Sequence, residues 1–299
     1  MRKKLYVIVV MLTLMATGCV REQVEININA KCAIIEEREN GLVLFEKNAD
    51  LRFPPASTAK VMTAVVAIEN KDLDADIIIS RDAVMTEPTV AGLNLGVRYK
   101  LGDLIPAILV KSANDAAVAI AENISGSETA FAILMNSKAK ELRMDNTYFV
   151  TASGLPTGKK DEQYTTARDL AILMRYAARY KVILDAMSRK EMTIYGSDKK
   201  VIKLKTHNRA LFKSDSAPWG KTGYTKEAKR TFIGVDPSAS PKIVFSVLQS
   251  NTLWKDITTL NENGIMMYGQ NHQNILSSLV TWIKSQRQRT WKEISTVIA

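Results

Sequence analysis

Phe53-Pro54-Pro55-Ala56-Ser57-Thr58-Ala59-Lys60-Val61-Met62-Thr63-Ala64-Val65-Val66-Ala67-Ile68 places two prolines, a serine and a lysine at the head of an apolar run. Proline is excluded from a helix interior but tolerated just before one, so the spacing predicts a helix over Thr58 to Asn70 with Ser57 at its N-terminus. The run is apolar on every side, which makes the helix a buried one. Lys60 stands one turn beyond Ser57 on the same face. A helix start presents unpaired N–H groups and positive dipole to an oxygen held there. A lysine at the start of a buried helix loses hydration, its pKa falls, and it can take the proton of a hydroxyl. Taken alone, the same pair also reads as a plain N-cap and a lysine snorkelling to the surface.

On the N-terminal side of this segment, Lys31 to Lys47 forms two apolar runs around Glu39-Asn40-Gly41, a strong hairpin signal. On the C-terminal side the pattern turns helical over Leu101 to Leu109, Ala113 to Ile124, Ser127 to Leu142, Thr166 to Tyr180 and Lys181 to Met187. Strand patterns return at Lys200 to Lys205, Thr231 to Val235 and Lys242 to Gln249, with Asp236-Pro237-Ser238 as a turn between the last two. Strands at both ends enclosing a helical middle predict an α+β fold: one antiparallel sheet built from the N-terminal hairpin and the C-terminal strands, with a helical subdomain inserted. Past Gly264 one more helix is expected, roughly His272 to Val297. Ile275, Leu276, Leu279, Val280 and Ile283 line one side of it, with Lys284, Arg287, Arg289 and Lys292 nearby. It reads either as a terminal helix packed on the sheet or as a basic amphipathic helix resting on anionic membrane.

The chain has 299 residues, 46% apolar and 24% charged, enough for a substantial core in one main domain. Its net charge is +10, and loss of Arg2, Lys3 and Lys4 with the first eighteen residues lowers it to +7. That suits a polyanionic partner such as a cell-wall polymer or anionic lipid. No basic run interleaved with aromatics and no zinc-finger spacing is present, so a nucleic acid partner is not expected. Arg2-Lys3-Lys4, the apolar run Leu5 to Ala16 and Ala16-Thr17-Gly18-Cys19 read as an export signal over residues 1–18. The apolar run is too short to span a membrane. Cys19 after small residues resembles a bacterial lipobox, in which the thiol is acylated; Ala16 stands where that motif usually has Leu, and ordinary cleavage is the other reading. With Cys19 lipidated, Cys32 has no disulfide partner, and its apolar setting makes it a small buried residue and not a nucleophile.

Three short motifs follow one another: Ser57-Thr58-Ala59-Lys60 (S-x-x-K), Ser112-Ala113-Asn114 (S-x-N) and Lys221-Thr222-Gly223 (K-T-G). Singly they are weak, since S-x-x-K also matches Ser137 to Lys140 and Ser197 to Lys200. Only Ser57 has prolines before it and a buried helix after it. A Ser-His-Asp triad is disfavoured by the presence of only His207 and His272 and by the lack of a G-x-S-x-G elbow. His and Cys are too few and too scattered for a zinc site, so no metal or cofactor is expected. Gly220-Lys221-Thr222 resembles the end of a phosphate-binding loop, but Asp215 occupies the position that pattern needs as glycine.

The ordered set resembles the penicillin-recognising serine enzymes, with their β-lactamase/transpeptidase-like fold. Phe53 to Lys60, Leu109 to Ala117, Ala152-Ser153-Gly154-Leu155 and Lys221-Thr222-Gly223-Tyr224-Thr225 point within them to the low-molecular-mass D-alanyl-D-alanine carboxypeptidases. The likeness runs from about Cys32 to Gly264. It implies a serine DD-peptidase domain over 30–264 and a helical tail over 265–299. It further implies that Ser57 attacks the carbonyl between two D-alanines while Lys60 takes its proton. Ser112, helped by Lys221, would pass a proton to the leaving amine, and Asn114 would hold the substrate backbone and Lys60. Lys221 and Thr222 would bind the terminal carboxylate, with Gly223 beside them on the strand. The amides of Ser57 and Tyr224 would form the oxyanion hole. The expected partners are peptidoglycan stem peptides ending in D-Ala-D-Ala, β-lactams as covalent inhibitors, and a membrane held through the N-terminal lipid.

Two departures stand out. Ala228-Lys229-Arg230 follows where the family usually has Ala-Gly after the Tyr-Thr pair, placing charge at the expected rim of the site, and only about 35 residues follow Gly264, too few for the β-rich C-terminal domain of many members. A class A-type β-lactamase would need a deacylating Glu some thirty-five residues past S-x-N, where Asn146-Thr147-Tyr148-Phe149 offers no carboxylate. A DD-endopeptidase would use the same residues. A non-catalytic β-lactam sensor or wall-binding protein would have no chemical reason to keep Ser57, Lys60, Ser112 and Lys221.

Overall fold

The computed structural model describes residues 26–158, 163–238 and 240–298. The expected leader and Cys19 lie outside them. At the centre is a five-stranded sheet in the order β2-β1-β9-β8-β7, all neighbouring pairs antiparallel. Its strands are β1 (Cys32–Glu37), β2 (Val43–Lys47), β7 (Trp219–Thr225), β8 (Lys229–Val235) and β9 (Ile243–Ser250), while β3 (Asp76–Ile78) and β4 (Arg98–Lys100) form a small antiparallel ribbon of their own. The N-terminal hairpin thus lies beside the C-terminal strands, as its alternation predicts. Gly41 supplies the φ of +74° that the hairpin turn requires.

Every residue of β1 and β9 is buried, because both faces of the sheet are covered. Helix α6 (Ala167–Ala177) packs on one face, and with it comes the helical insertion. That insertion comprises α1 (Ala59–Asn70), the short α2 (Arg81–Val84), α3 (Leu101–Leu109), α4 (Asn114–Ser125), α5 (Glu128–Glu141) and α7 (Lys181–Ser188). Its core runs from Val61, Met62 and Val65 through Leu104, Ile108 and Phe131 to Leu170 and Met174. The opposite face of the sheet, with Phe232 and Phe245 stacked, is covered by Leu253, Ile257 and Leu260 of α8 (Leu253–Ile298).

Two expectations need correction, and one strand forms where apolar alternation gives no sign of it. The strand expected at Lys200 to Lys205 forms as β6 (Val201–Lys205), yet it pairs with β5 (Glu191–Tyr195) in a separate two-stranded ribbon. Only Ile202 and Leu204 of β6 are buried, a one-sided pattern that suits a ribbon and not a sheet covered on both faces. Strand β7 carries no apolar alternation and is extended because each of its residues pairs with one of β8. The C-terminal helix begins at Leu253, well before His272. Its first turns pack on the sheet, and Gly264 permits the approach, since a Cβ there would lie 2.5 Å from Ile243 Cδ1. Further along, Ile275, Leu276, Leu279 and Val280 are about half exposed. No helix among the described residues is long and apolar enough to cross a membrane.

Candidate active site

Pro55 leads into a single 3-10 turn, Ala56–Thr58, that runs straight on into α1. Thr58 Oγ1 donates to the Pro55 carbonyl at 2.6 Å and Thr231 of β8 donates to the same oxygen at 3.3 Å, tying the turn to the sheet. Ala56 has a φ of +47° and Ser112 a φ of +62°, so two non-glycine residues in the left-handed region flank the site. Such strain persists only where the surroundings enforce it. Here β7 does so: a Cβ on Gly223 would lie 3.0 Å from the Ser57 nitrogen. On the other side a Cβ on Gly154, whose φ is +77°, would sit 2.0 Å from the Ala56 carbonyl. Both glycines are required by close approach.

Lys60 is fully buried and its Nζ reaches Ser57 Oγ at 3.1 Å, Asn114 Oδ1 at 2.7 Å and the Ser153 carbonyl at 2.6 Å. Burial drives its pKa well below the lysine range, the charge of Lys221 pushes it the same way, and Glu128 and Asp115 oppose. A neutral amine within hydrogen-bond reach of a hydroxyl is the arrangement a general base needs. The snorkelling alternative for Lys60 is thereby excluded.

Lys221 is also buried, and its Nζ donates to Ser112 Oγ at 2.9 Å and to the Thr222 carbonyl at 2.5 Å. Burial alone lowers its pKa to about 7. Two hydrogen-bonded groups therefore face each other: Lys60 of α1 with Ser57 of the 3-10 turn and Asn114 at the start of α4, and Lys221 of β7 with Ser112 of the turn before α4. They are near enough for the charge of Lys221 to act on Lys60. Thr222 is partly exposed on β7, the edge strand of the sheet. The Tyr224 side chain is 63% exposed and lies under Arg230. Ala228 is buried, while Lys229 and Arg230 are exposed at the end of the β7–β8 hairpin.

Several residues around the two groups belong to none of the three motifs. His207, whose backbone N–H donates to the Val110 carbonyl, is held neutral near pH 7: its pKa falls to about 4 through burial first, then Lys221, Lys111, Lys60 and Arg209. Asp115 is a buried carboxylate and Glu128 a half-buried one, and the charges of both reach Lys60. A buried acid directly after S-x-N was a signal open to reading; the position of Glu128 at the start of α5 was not. At Asn146 and Thr147 the backbone N–H and the hydroxyl both donate to Asp169. Cys32 is wholly buried and its thiol is pushed up to about 11, as an inert core residue requires.

The chain matches the family model described as D-alanyl-D-alanine carboxypeptidase over residues 19–252. It is 36% identical over 207 residues to the D-alanyl-D-alanine carboxypeptidase DacF of Bacillus subtilis, covering 67% of this chain and 52% of that one. The chain thus spans about half the length of that relative. A D-alanyl-D-alanine endopeptidase of Pseudomonas aeruginosa is 29% identical over 76% of this chain and 74% of its own. The crystal structure of the D-alanyl-D-alanine carboxypeptidase from Mycobacterium tuberculosis superposes with a TM-score of 0.76 at 27% identity, covering 82% of this chain and 95% of that one. With three motifs converging on one cleft, a family match over most of its length and a solved relative of the same architecture, this chain belongs to the D-alanyl-D-alanine carboxypeptidase family.

Proposed function

We propose that the protein is a serine-type D-Ala-D-Ala carboxypeptidase that removes the terminal D-alanine from peptidoglycan stem peptides through an acyl-enzyme on Ser57. The observation that carries this reading is the 3.1 Å contact between a buried, depressed-pKa Lys60 and the Ser57 hydroxyl. Neutral Lys60 accepts the Ser57 proton as Oγ bonds to the carbonyl carbon of the penultimate D-alanine. Negative charge collects on the carbonyl oxygen, toward which the amides of Ser57 and Tyr224 are assigned. Collapse of the tetrahedral intermediate breaks the C–N bond. The proton that Lys60 took passes through Ser112, which is hydrogen-bonded to Lys221, to the departing amine, and Lys60 is neutral again. Water then attacks the ester carbonyl as Lys60 accepts its proton, and Lys60 returns that proton to Ser57 Oγ as the C–O bond breaks and frees the shortened peptide. Thr222 and the Lys221 ammonium bind the terminal carboxylate, whose charge in turn holds the proton on Lys221. A β-lactam enters the same path and stays as a stable acyl-enzyme.

The division into a catalytic unit over 30–264 and a tail over 265–299 belongs to this reading, as does export through residues 1–18 with lipidation of Cys19. Sequence supports both: a basic leader, a short apolar run and a cysteine after small residues. The endopeptidase likeness keeps cross-link cleavage as the second reading. Fluorescent penicillin labelling of wild type and Ser57→Ala, with D-alanine release from a pentapeptide, tests the proposal. Label on wild type alone together with release is the expected result. Label without release would favour a sensor, rapid penicillin turnover a β-lactamase, and cleavage of cross-linked dimers without release the endopeptidase.

A further inference from the structure

Lys60 has two neutral acceptors besides Ser57, and beside each an acid gathers the backbone of an adjoining segment: buried Asp115 for Asn114 at the start of α4, and half-buried Glu128 for the Ser153 carbonyl. The Asn114 oxygen faces Lys60 because the rest of that residue is engaged by the loop after α2: its Nδ2 donates to the Glu87 carbonyl at 2.8 Å and its backbone N–H to the Thr89 carbonyl at 2.7 Å. The same loop is anchored by Asp115, 1% exposed, which accepts from the N–H groups of Ala91, Gly92 and Leu93 at 2.9, 2.9 and 3.2 Å. Opposite it, the Ser153 carbonyl lies on the segment following Thr151. There Glu128 Oε1 accepts from the Ala152 N–H at 2.8 Å, and Thr63 Oγ1 donates to the Ala152 carbonyl at 2.6 Å.

We propose that Asp115 and Glu128 are paired positioning residues, each fixing one of the two acceptors that turn Lys60 Nζ toward Ser57. This rests on Ser57 and Lys60 carrying the reaction. An amine that must both release and regain a proton has to keep its lone pair on the Ser57 hydroxyl, which requires its other directions to be taken by acceptors that do not move. Neither carboxylate bonds Lys60 itself, so neither traps it as an ammonium. Both still reach it through space, against Lys221, while His207 feels Lys60 from the S-x-N side. Burial raises the carboxyl pKa of Glu128, with the Ala152 and Ser153 amides and Lys60 acting the other way.

The test is the second-order rate of Ser57 acylation by fluorescent penicillin, measured from pH 5 to 10. Glu128→Ala and Asp115→Ala are each expected to slow acylation at least about tenfold, because small misplacements of a reacting group carry penalties up to about 10²-fold. Glu128→Gln keeps an acceptor for Ala152 and is expected to stay within about threefold of wild type. Removing a negative charge near Lys60 favours its neutral form, so the acid limb moves to lower pH in both alanine variants. Native rate and native acid limb in both would overturn the proposal, leaving the two acids as supports of the fold alone. Should the alanine variants not fold, Asp115→Asn and Glu128→Gln decide it: an acid limb shifted down in both supports the pairing, and an unmoved limb in both sinks it. If wild type itself is not labelled at Ser57, it is the carboxypeptidase reading that has failed and not this pairing.

Discussion

The two buried lysines of the cleft sit in contrasting surroundings. Lys60, on the helical side, has three oxygen acceptors and two carboxylate charges within reach. Lys221, on the sheet side, has Ser112 and the Thr222 carbonyl, and among the described residues no carboxylate opposes its burial. A buried ammonium without a counter-ion is costly unless an anion arrives. The difference teaches how one site can use two lysines differently: the helical side is complete in itself and suits a proton acceptor, while the sheet side is left short of one negative charge, the one that the carboxylate of the proposed substrate would supply.

Ser57→Ala is the most damaging way to break the helical side, and no penicillin label should remain. Lys60→Ala keeps the nucleophile without its base; acylation should fall by about 10²–10⁴-fold, the usual worth of general base catalysis. Gly154→Ala forces a Cβ against the Ala56 carbonyl at a positive φ, and a loss of about 10²-fold in acylation is expected from the displaced Ser57 turn.

Lys221→Met separates function from stability on the sheet side. Cleavage of peptides with a free terminal carboxylate should be lost, while replacing a buried charge by an apolar chain should stabilise the fold by about 1–4 kcal/mol below pH 7. The sign follows from linkage. The pKa of Lys221 falls to about 7 on folding, so the folded state binds fewer protons than the unfolded one above that pH. Wild-type stability therefore rises from pH 7 toward 10.5, and the gain from the mutation shrinks over the same window. Denaturation of both proteins at pH 6 and pH 10 checks this.

For the same reason kcat/KM on a pentapeptide should fall on the acid side as Lys60 protonates, and on the alkaline side above about pH 7 as free-enzyme Lys221 loses its proton. A substrate amidated at its C-terminus should lose the alkaline limb. The smallest effect is expected from Arg230→Ala, which removes a surface cation–π contact with Tyr224 worth about 0.5–1 kcal/mol and should leave labelling unchanged.

The hairpin at Asn40-Gly41, the buried helix after Ser57 and most later helices were legible because apolar period and turn chemistry are local properties. The three motifs were legible because their residue types limit the chemistry they can perform. Strand β7 was not, since glycine, lysine and threonine carry no strand pattern and only pairing with β8 extends them. Nor was the separation of β6 from the main sheet, because a one-sided alternation does not name its partner. The early start of α8 had a local sign, since Leu253, Ile257 and Leu260 recur at helical spacing, but so short a stripe gains its meaning from the sheet face it covers.

By itself, the sequence determined that Ser57 heads a buried helix with Lys60 one turn on, because helical spacing and burial follow from local composition. Only the tertiary structure decided that Ser112, Asn114, Ser153 and Lys221 meet them, that Lys60 and not Lys221 has carboxylates behind it, and that Asp115 and Glu128 are those carboxylates. Such facts depend on which distant segments pack together, and packing is settled by the whole core at once.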